Sequence, residues 1–253
     1  MIHQLELSLD YYAFQARMGL GPFWDGIDFS RSIEYPLVAS KLQIQVGDSV
    51  LEVGGGRSSF GLYLAWRNSK ANFVITDFEE AAVAMSEDFI PKLSLENLDL
   101  RLEDATALNM EGETFDKVVS VSVMEHISGD GDRRAMAEIG RVLKLGGAAI
   151  ITVPYAPSFQ FEEAGQFGHM RHYDAVGINE RLIEPSGLSP ADILYFNDEF
   201  SFGERVVYHP LPIGARLRDR LFRHVSVVAG PLLCKLHQEP PDRAGGALLV
   251  LRK

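Results

Sequence analysis

Three consecutive glycines, Gly54 to Gly56, follow a short apolar run and precede a stretch of helical period. A buried strand that turns through glycines into a helix lets a ligand approach the backbone without a Cβ in the way. The N–H groups at the start of that helix then favour an anionic group of the ligand. The segment predicts a site for a nucleotide-type cofactor, although an ordinary strand-to-helix turn has the same pattern.

The residues around the turn narrow the choice of cofactor. A nicotinamide site usually reads GxGxxG, whereas the third glycine position is occupied here by Ser59. The next predicted strand ends at Asp77, where a carboxylate can accept both hydroxyls of a ribose. That feature suits either class of cofactor and also fits a solvated turn aspartate, so the turn and Asp77 leave the cofactor open.

The elements that must position these residues follow from hydrophobic periodicity. From about residue 48, apolar runs rich in valine and isoleucine alternate with helical stretches, which predicts a parallel sheet with crossover helices. The predicted strands are 49–53, 72–76, 98–102, 117–122, 148–153, 193–196 and 247–251. The predicted helices among them are 60–67, 79–89, 132–143 and 176–184.

Two further regions flank this pattern. Residues 1–47 precede the first predicted strand and are expected to form an N-terminal helical cap or lid, followed by a main domain over 48–253. Between the last two strands, residues 200–244 exceed what a minimal fold needs, and we interpret them as an insertion.

Composition limits the class of protein. Lys and Arg total 24 and Asp and Glu 35, so the formal charge of −11 argues against nucleic acid as a partner. One cysteine, Cys234, cannot form an internal disulfide, and the acidic residues near Met1 do not fit a secretory leader. The most apolar stretch, 225–234, is shorter than the roughly 20 residues of a membrane-spanning helix. We therefore expect a cytoplasmic protein.

Several ordered motifs after the glycine turn carry a family resemblance. They are EVGGG at 52–56, ITDF at 75–78, LEDATAL at 102–108, FDKVVSVSVMEHI at 115–127 and RVLKLGG at 141–147. Together they resemble the class I S-adenosylmethionine-dependent methyltransferases, in particular the small-molecule branch known as type 11. The resemblance covers about Val50 to Phe196. It implies an α/β, Rossmann-like, doubly wound seven-stranded sheet, mainly parallel with an antiparallel last strand.

The resemblance also implies roles for matched positions in binding S-adenosyl-L-methionine. Glu52 and Gly54 would face the methionine part and Asp77 the ribose, and Gly55, Gly56 and Phe78 are further cofactor-binding candidates. Asp104 and Ala105 would meet the adenine edge, and Ser120 and Val121 would line the cofactor near its sulfur. The sequence departs from the family pattern at Arg57 and Ser58, where a small residue and a glycine are usual, which puts the local loop geometry in doubt.

Two histidines are candidates for acid–base chemistry. His126 follows the fourth predicted strand at a corner that borders the reacting centre in the resembling family, and a histidine can take a proton from a substrate near neutral pH. His169 is the second candidate. The alternative for His126 is a structural contact that ties the loop to a neighbouring element.

The segment HMRHY, 169–173, is expected to be a loop before the next helix. It resembles a short family motif near the substrate pocket, so Arg171 and Tyr173 are candidates either for substrate positioning or for packing. His169 and His172 invite a metal site, but no further ligands stand at a recognisable spacing and methyl transfer from a sulfonium needs no metal. We expect no metal.

Two more segments have alternative interpretations. Tyr35 belongs to the segment 31–36, which precedes a predicted helix to Leu42. Similar segments in the resembling family close over the cofactor, so Tyr35 would either cover its methionine part or simply pack. Within 205–235, six basic residues face one acidic residue, Asp219. This segment indicates either contact with an anionic membrane surface or an acidic or glycan substrate, or a helix that packs on the acidic body.

These observations predict an S-adenosylmethionine-dependent methyltransferase that acts on a small molecule or on a sugar- or lipid-linked intermediate. The mechanism would be an in-line displacement of the methyl group in a site shielded from water. Two alternatives stay open. One is a nicotinamide-dependent oxidoreductase, and the other is a methyltransferase-like module that binds the cofactor without catalysis. The sequence does not define the oligomeric state.

Overall fold

In a computed structural model, the chain is described over residues 2–19, 27–56, 58–165, 168–198, 215–243 and 245–253. Its central strands are β1 Ser49–Val53, β2 Asn72–Asp77, β3 Leu98–Leu102, β4 Phe115–Val121, β5 Leu143–Tyr155, β8 Ser189–Asp198, β9 Cys234–His237 and β10 Gly245–Arg252. They form one sheet in the order β3-β2-β1-β4-β5-β10-β8-β9.

The first five strands of the sheet run parallel, and β10 lies antiparallel between β5 and β8. This confirms the predicted Rossmann-like fold with its antiparallel last strand. The sheet has one strand more than the seven expected, because β9 pairs antiparallel with β8 at the edge. That extra strand comes from the segment that the sequence analysis interpreted as an insertion.

Helices cover both faces of the sheet. They are α1 Ile2–Arg17, α2 Phe29–Leu42, α3 Phe60–Arg67, α4 Glu80–Glu87, α5 Ile90–Leu93, α6 Gly131–Val142, α7 Ala175–Gly177, α8 Glu184–Ser186 and α9 Ala215–Leu233. A π-helix, Ile178–Ile183, joins α7 to α8. Successive residues of a strand point to opposite faces, so Val50 packs with α1 to α3 while Leu51 packs with α6 and the π-helix. This double burial explains why the strands read as continuous apolar runs.

The N-terminal helices and α9 pack on one another. Ser8 in α1 donates a hydrogen bond to the carbonyl of Val227 in α9 at 2.8 Å. A Cβ on Gly230 would lie 2.0 Å from Ser32 Oγ, so α9 approaches α2 closely at this glycine. The basic segment therefore contains a helix that packs on the body, as one of its interpretations requires. Arg205 and the side chains of 216–223 lie outside the described residues.

A hairpin between β5 and α7 was not predicted. It consists of β6, Gln160–Gly165, and β7, Gly168–His172, which pair antiparallel with each other only. The prediction that 169–173 is a loop is therefore wrong for most of that segment. The two strands include glycines and charged residues and lack the apolar run of the central strands, so the sequence carries no strong strand signal there.

Within the described residues, no helix is both long and apolar enough to cross a bilayer.

Candidate functional site

The glycine turn lies between the carboxyl end of β1 and the start of α3. Gly54 has a φ of +76°, and a Cβ there would lie 2.6 Å from a methyl carbon of Val123, so glycine is required on both counts. The N–H groups of Gly54 and Gly55 donate to the carbonyl of Thr76 on β2, at 2.9 and 3.0 Å. The turn is thereby tied to the neighbouring strand.

Glu52 carries a buried carboxyl group directly beneath this turn. Glu52 is only 3 % exposed, and Oε2 of its carboxyl group has no hydrogen-bond partner. Burial, with a further contribution from the nearby Asp77 carboxylate, raises the pKa of Glu52 to about 8. A Cβ on Gly55 or Gly61 would lie 2.2 or 1.9 Å from Oε2, so both glycines make room for the carboxyl group. The sequence analysis did not single out Gly61.

Asp77 and Phe78 end β2 beside the turn. Asp77 is buried, and its carboxylate accepts hydrogen bonds from the N–H groups of Gly56, at 3.1 Å, and Glu79, at 3.0 Å. Phe78 is 75 % exposed, an unusual position for a large apolar ring, and so offers a free face next to Asp77.

Two other groups of predicted cofactor residues lie at neighbouring strand ends. Asp104, after β3, is exposed and accepts hydrogen bonds from the N–H and hydroxyl of Thr106, both at 2.8 Å, with Ala105 half-buried beside it. Ser120 on β4 is fully buried, and its hydroxyl donates to the carbonyl of Val53 at 3.1 Å. The Ser120 side chain thus holds β4 to β1, while Val121 is only half-buried.

Ser58, one of the two departures from the family pattern, and the neighbouring Ser59 both contact the N-terminal helices. The Tyr35 hydroxyl in α2 donates to Ser58 Oγ at 3.3 Å, and the Ser59 hydroxyl lies 2.7 Å from the Tyr11 hydroxyl of α1. Gln15 also donates to Ser59, at 3.1 Å. The two serines therefore fasten the N-terminal helices to the turn, which a glycine could not do. Arg57 lies outside the described residues.

A side chain of α2 holds the corner that follows β4. Ser122 has a φ of +51°, a left-handed conformation that costs energy for a residue with a side chain. Its hydroxyl donates to Glu34 Oε1 at 2.6 Å, and Thr152 donates to the same oxygen at 2.9 Å. Arg31 donates to Glu34 Oε2 at 2.6 Å. Glu34 thus locks α2 to the ends of β4 and β5, a role that sequence reasoning missed.

Replacing Glu34 by glutamine should destabilise the fold by about 2–3 kcal/mol, because a buried charged acceptor of three hydrogen bonds is lost and Arg31 loses its partner. Urea unfolding measures this loss. A matched control is Asp99→Asn, which breaks an exposed pair with Arg101 and should cost no more than about 1 kcal/mol. Equal costs for the two variants would contradict the role of Glu34.

Glu125 and His126 lie in a 3-10 turn, Met124–His126, that follows this corner. Glu125 is 1 % exposed, and Oε2 of its carboxyl group has no hydrogen-bond partner. Burial raises the pKa of Glu125 to about 8, although the nearby Arg31 acts in the opposite direction. His126 is part-exposed, with Nε2 3.8 Å from Glu125 Oε1. The turn therefore places an imidazole beside a buried carboxyl group. The sequence analysis considered only the imidazole as a base.

The other candidates in the HMRHY segment lie in or next to β7. His169 is half-buried with its Nδ1 unpartnered, and its main-chain oxygen lies 2.9 Å from His126 Nδ1. His169 and His172 are three residues apart on a strand, so their side chains point to opposite faces of β7.

Arg171 and Tyr173, the candidates for substrate positioning or packing, are both buried. Arg171 is 2 % exposed and donates to main-chain carbonyls of the Glu125 turn. Tyr173 is fully buried, and its hydroxyl donates to Asp132 at 2.9 Å. Both side chains are directed to protein partners, as the packing interpretation expects.

Comparisons with known proteins agree with this arrangement. Residues 50–147 match the family of methyltransferase domains. N-methyltransferase 4 of Papaver somniferum is 31 % identical over 104 residues, which are 40 % of this chain and 29 % of that protein. The chain thus spans less than a third of the length of the curated relative that it matches.

Solved structures extend the likeness to most of the chain. The [4+2]-cyclase SpnF is 20 % identical with a TM-score of 0.63, over 100 % of this chain and 93 % of that one. Coclaurine N-methyltransferase, bound to N-methylheliamine and SAH, is 14 % identical with a TM-score of 0.61, over 87 % of this chain and 69 % of that one. At such identities these likenesses show the fold.

The sheet order, the glycine turn and the acidic strand ends define a class I, Rossmann-like methyltransferase fold. The part of the chain that matches a methyltransferase domain, residues 50–147, contains the glycine turn and the carboxyl ends of strands β1 to β4.

Proposed function

We propose that this protein transfers a methyl group from S-adenosylmethionine to an amine nitrogen of a small molecule. The observation that carries the proposal is the match of residues 50–147 to a methyltransferase domain. That match includes both the buried Glu52 and the Glu125–His126 turn. The fold alone would not suffice, since one similar structure is described as a [4+2]-cyclase.

The cofactor is proposed to lie along the carboxyl ends of β1 to β4. Glu52 with Gly54, Gly55 and Gly56 would hold the methionine part, and Asp77 the ribose. Phe78, Asp104 and Ala105 would contact the adenine, and Val121 with the backbone of Ser120 would lie near the sulfur. The unpartnered oxygen of Glu52, the Cβ-free turn and the free face of Phe78 support this fit. The bound cofactor supplies the electrophilic methyl group.

Glu125, His126 and His169 lie together where the acceptor is proposed to enter. An amine that arrives protonated must lose its proton before its lone pair can attack a methyl group. Glu125 can take that proton, so that the N–H bond breaks and an O–H bond forms on its carboxylate. A base with a pKa of about 8 is well matched to this task near neutral pH. His126, at the exposed side of Glu125, would pass the proton to solvent.

Support for a nitrogen acceptor comes from two directions. The unpartnered Oε2 of Glu125 offers a hydrogen-bond acceptor to an N–H group. The relatives that match the chain are named as N-methyltransferases, among them the enzyme of Papaver somniferum. Tyr35, which stacks on Phe60 with ring centroids 4.3 Å apart, would close the cofactor side of the pocket.

Calorimetric titration with S-adenosylmethionine and with NAD, followed by detection of S-adenosylhomocysteine with a panel of small amines and alcohols, tests the proposal. We expect tight binding of S-adenosylmethionine alone and product formation with amines. Binding of NAD alone would instead support the oxidoreductase alternative. Binding of S-adenosylmethionine with no product from any acceptor pool would support a module without catalysis.

A further inference from the structure

We propose that Arg171 is a positioning residue for methyl transfer. It fixes the Met124–His126 turn by its main-chain carbonyls, so that Glu125 and His126 keep the orientation needed to take a proton from the acceptor. The inference rests on the proposed function of those two residues. Arg171 itself is buried and would not touch the acceptor.

The guanidinium group of Arg171 reaches three carbonyls around the turn. One amino group donates to Ile127 O at 2.5 Å and lies 3.5 Å from Glu125 O. The other donates to Gly129 O. A planar fork with five N–H donors is suited to bridging several carbonyls at once, whereas a lysine ammonium would hold one or two of them. Arg171 thus binds the main chain at Glu125 and at Ile127, directly after the turn.

A buried carboxylate keeps this guanidinium in place. Asp132 is fully buried, and its Oδ2 lies 3.8 Å from Arg171 Nε. Arg181 donates to both oxygens of Asp132, at 2.8 and 2.7 Å, and Tyr173 donates to Oδ2. Asp132 therefore compensates the buried charge of Arg171 and also orients it, since its position is fixed by two other donors.

Phe161 provides the remaining support from the hairpin. Its ring lies beneath the guanidinium carbon of Arg171, 5.4 Å from the centroid, in a cation–π arrangement. The ring is half-exposed, so its removal should not open the core.

A second contact from β7 grips the same turn. The imidazole of His126 is hydrogen-bonded through Nδ1 to the carbonyl of His169 at 2.9 Å. Beyond the strand, Tyr173 exchanges main-chain hydrogen bonds with β5, through Pro154 and Ala156, at 2.9 Å each. The hairpin is therefore anchored on the sheet at one end and holds the Glu125 turn from the other. Arg171 contributes side-chain donors to the carbonyls of Glu125 and Ile127.

The test compares Arg171→Lys with Arg181→Lys in the full chain. Arg181 shares Asp132 and Gly129 O with Arg171, but it makes no hydrogen bond to Glu125 O or Ile127 O. For Arg171→Lys we expect kcat to fall by roughly 30- to 100-fold, because a displacement of a reacting group by about 1 Å lowers the rate by such a factor. The affinity for S-adenosylhomocysteine and the acceptor KM should stay unchanged within about threefold.

Amide hydrogen exchange supplies a readout that does not depend on activity. Exchange in a peptide covering 123–129 should accelerate in Arg171→Lys and stay unchanged in Arg181→Lys. A loss of kcat that is equal in both variants, or an unchanged turn in Arg171→Lys, would overturn the inference. If the wild-type protein makes no methylated product, the proposed function fails, while the exchange experiment still decides whether Arg171 holds the turn.

A gentler variant covers the case in which Arg171→Lys does not fold. Phe161→Leu removes the ring beneath the guanidinium and leaves the arginine in place. It should accelerate exchange in the same peptide and lower kcat by about three- to tenfold. The control is Phe159→Leu, because the Phe159 ring contacts Tyr173, whereas the ring beneath the Arg171 guanidinium is that of Phe161. Equal behaviour of the two phenylalanine variants would count against the inference.

Discussion

Replacing Gly55 by alanine is expected to abolish cofactor binding, with a loss of affinity of at least about a hundredfold. The added Cβ would lie 2.2 Å from Glu52 Oε2 and 2.4 Å from Cδ, well inside contact distance. The Glu52 carboxyl group cannot move toward α3, because it already lies against Gly61 of that helix. The contact is so close that a Cβ on Gly61 would lie 1.9 Å from Oε2. Glu52 must therefore rotate, and the turn that is proposed to hold the methionine part must shift with it.

Calorimetry with S-adenosylhomocysteine measures this effect. The overpacked site should also lower the free energy of unfolding by about 1–3 kcal/mol. Gly112→Ala is the matched control, because its Cβ would meet only ordinary contacts, 3.4 Å from the Arg141 carbonyl oxygen. If Gly55→Ala binds the ligand as the control does, the turn is not where the cofactor lies.

The central strands and the turn were accessible to sequence reasoning because their signals are local. β1 was predicted at 49–53 and α3 at 60–67, and the structure places both at those residues. A strand such as β1, which is buried on both faces, produces a continuous apolar run, and a required left-handed residue produces a glycine. Both signals are visible in a short window of sequence. The family of the domain followed from the order of such windows.

The contacts that shape the site were not accessible in this way. Glu34 and Ser122 are 88 positions apart, and Arg171 is 44 positions from Ile127. No sequence pattern around Glu34 or Arg171 indicates its partner. An arginine in HMRHY could equally bind a substrate or a main-chain carbonyl. The extra strand β9 was missed for a related reason, since four residues that pair at a sheet edge carry little apolar periodicity.

Replacing Glu125 by glutamine should lower kcat by roughly 10²- to 10⁴-fold for an amine acceptor, because the variant keeps the shape of the side chain but cannot take a proton. In the wild-type protein, kcat/KM should rise with pH until Glu125 is deprotonated, near its pKa of about 8. The variant should lose that rise. Steady-state rates of S-adenosylhomocysteine formation across this pH range measure both effects, and an unchanged profile would exclude Glu125 as the base.

The same substitution should stabilise the fold at high pH. Burial raises the pKa of Glu125 from 4.5 in the unfolded chain to about 8 in the folded one, so between these values only the folded protein holds the proton. The unfolded state then binds fewer protons, and the free energy of unfolding falls as pH rises through this window and levels off above it. Glutamine removes this contribution, so the Tm of Glu125→Gln relative to wild type should be higher at about pH 9 than at about pH 5.

Glu138→Gln provides a control of opposite sign for this stability effect. The hydrogen bond from Arg141 holds the pKa of Glu138 below its ordinary value, so its contribution is present above the unfolded pKa and is lost as pH falls. That variant should lose Tm most near neutral pH and keep kcat. A buried base that lowers stability at high pH while it takes a proton from the acceptor is expected of a functional carboxyl group. Glu52 remains in both variants, and its raised pKa contributes to the pH dependence of stability with the same sign as that of Glu125. The pH dependence of stability should therefore be reduced by Glu125→Gln without disappearing.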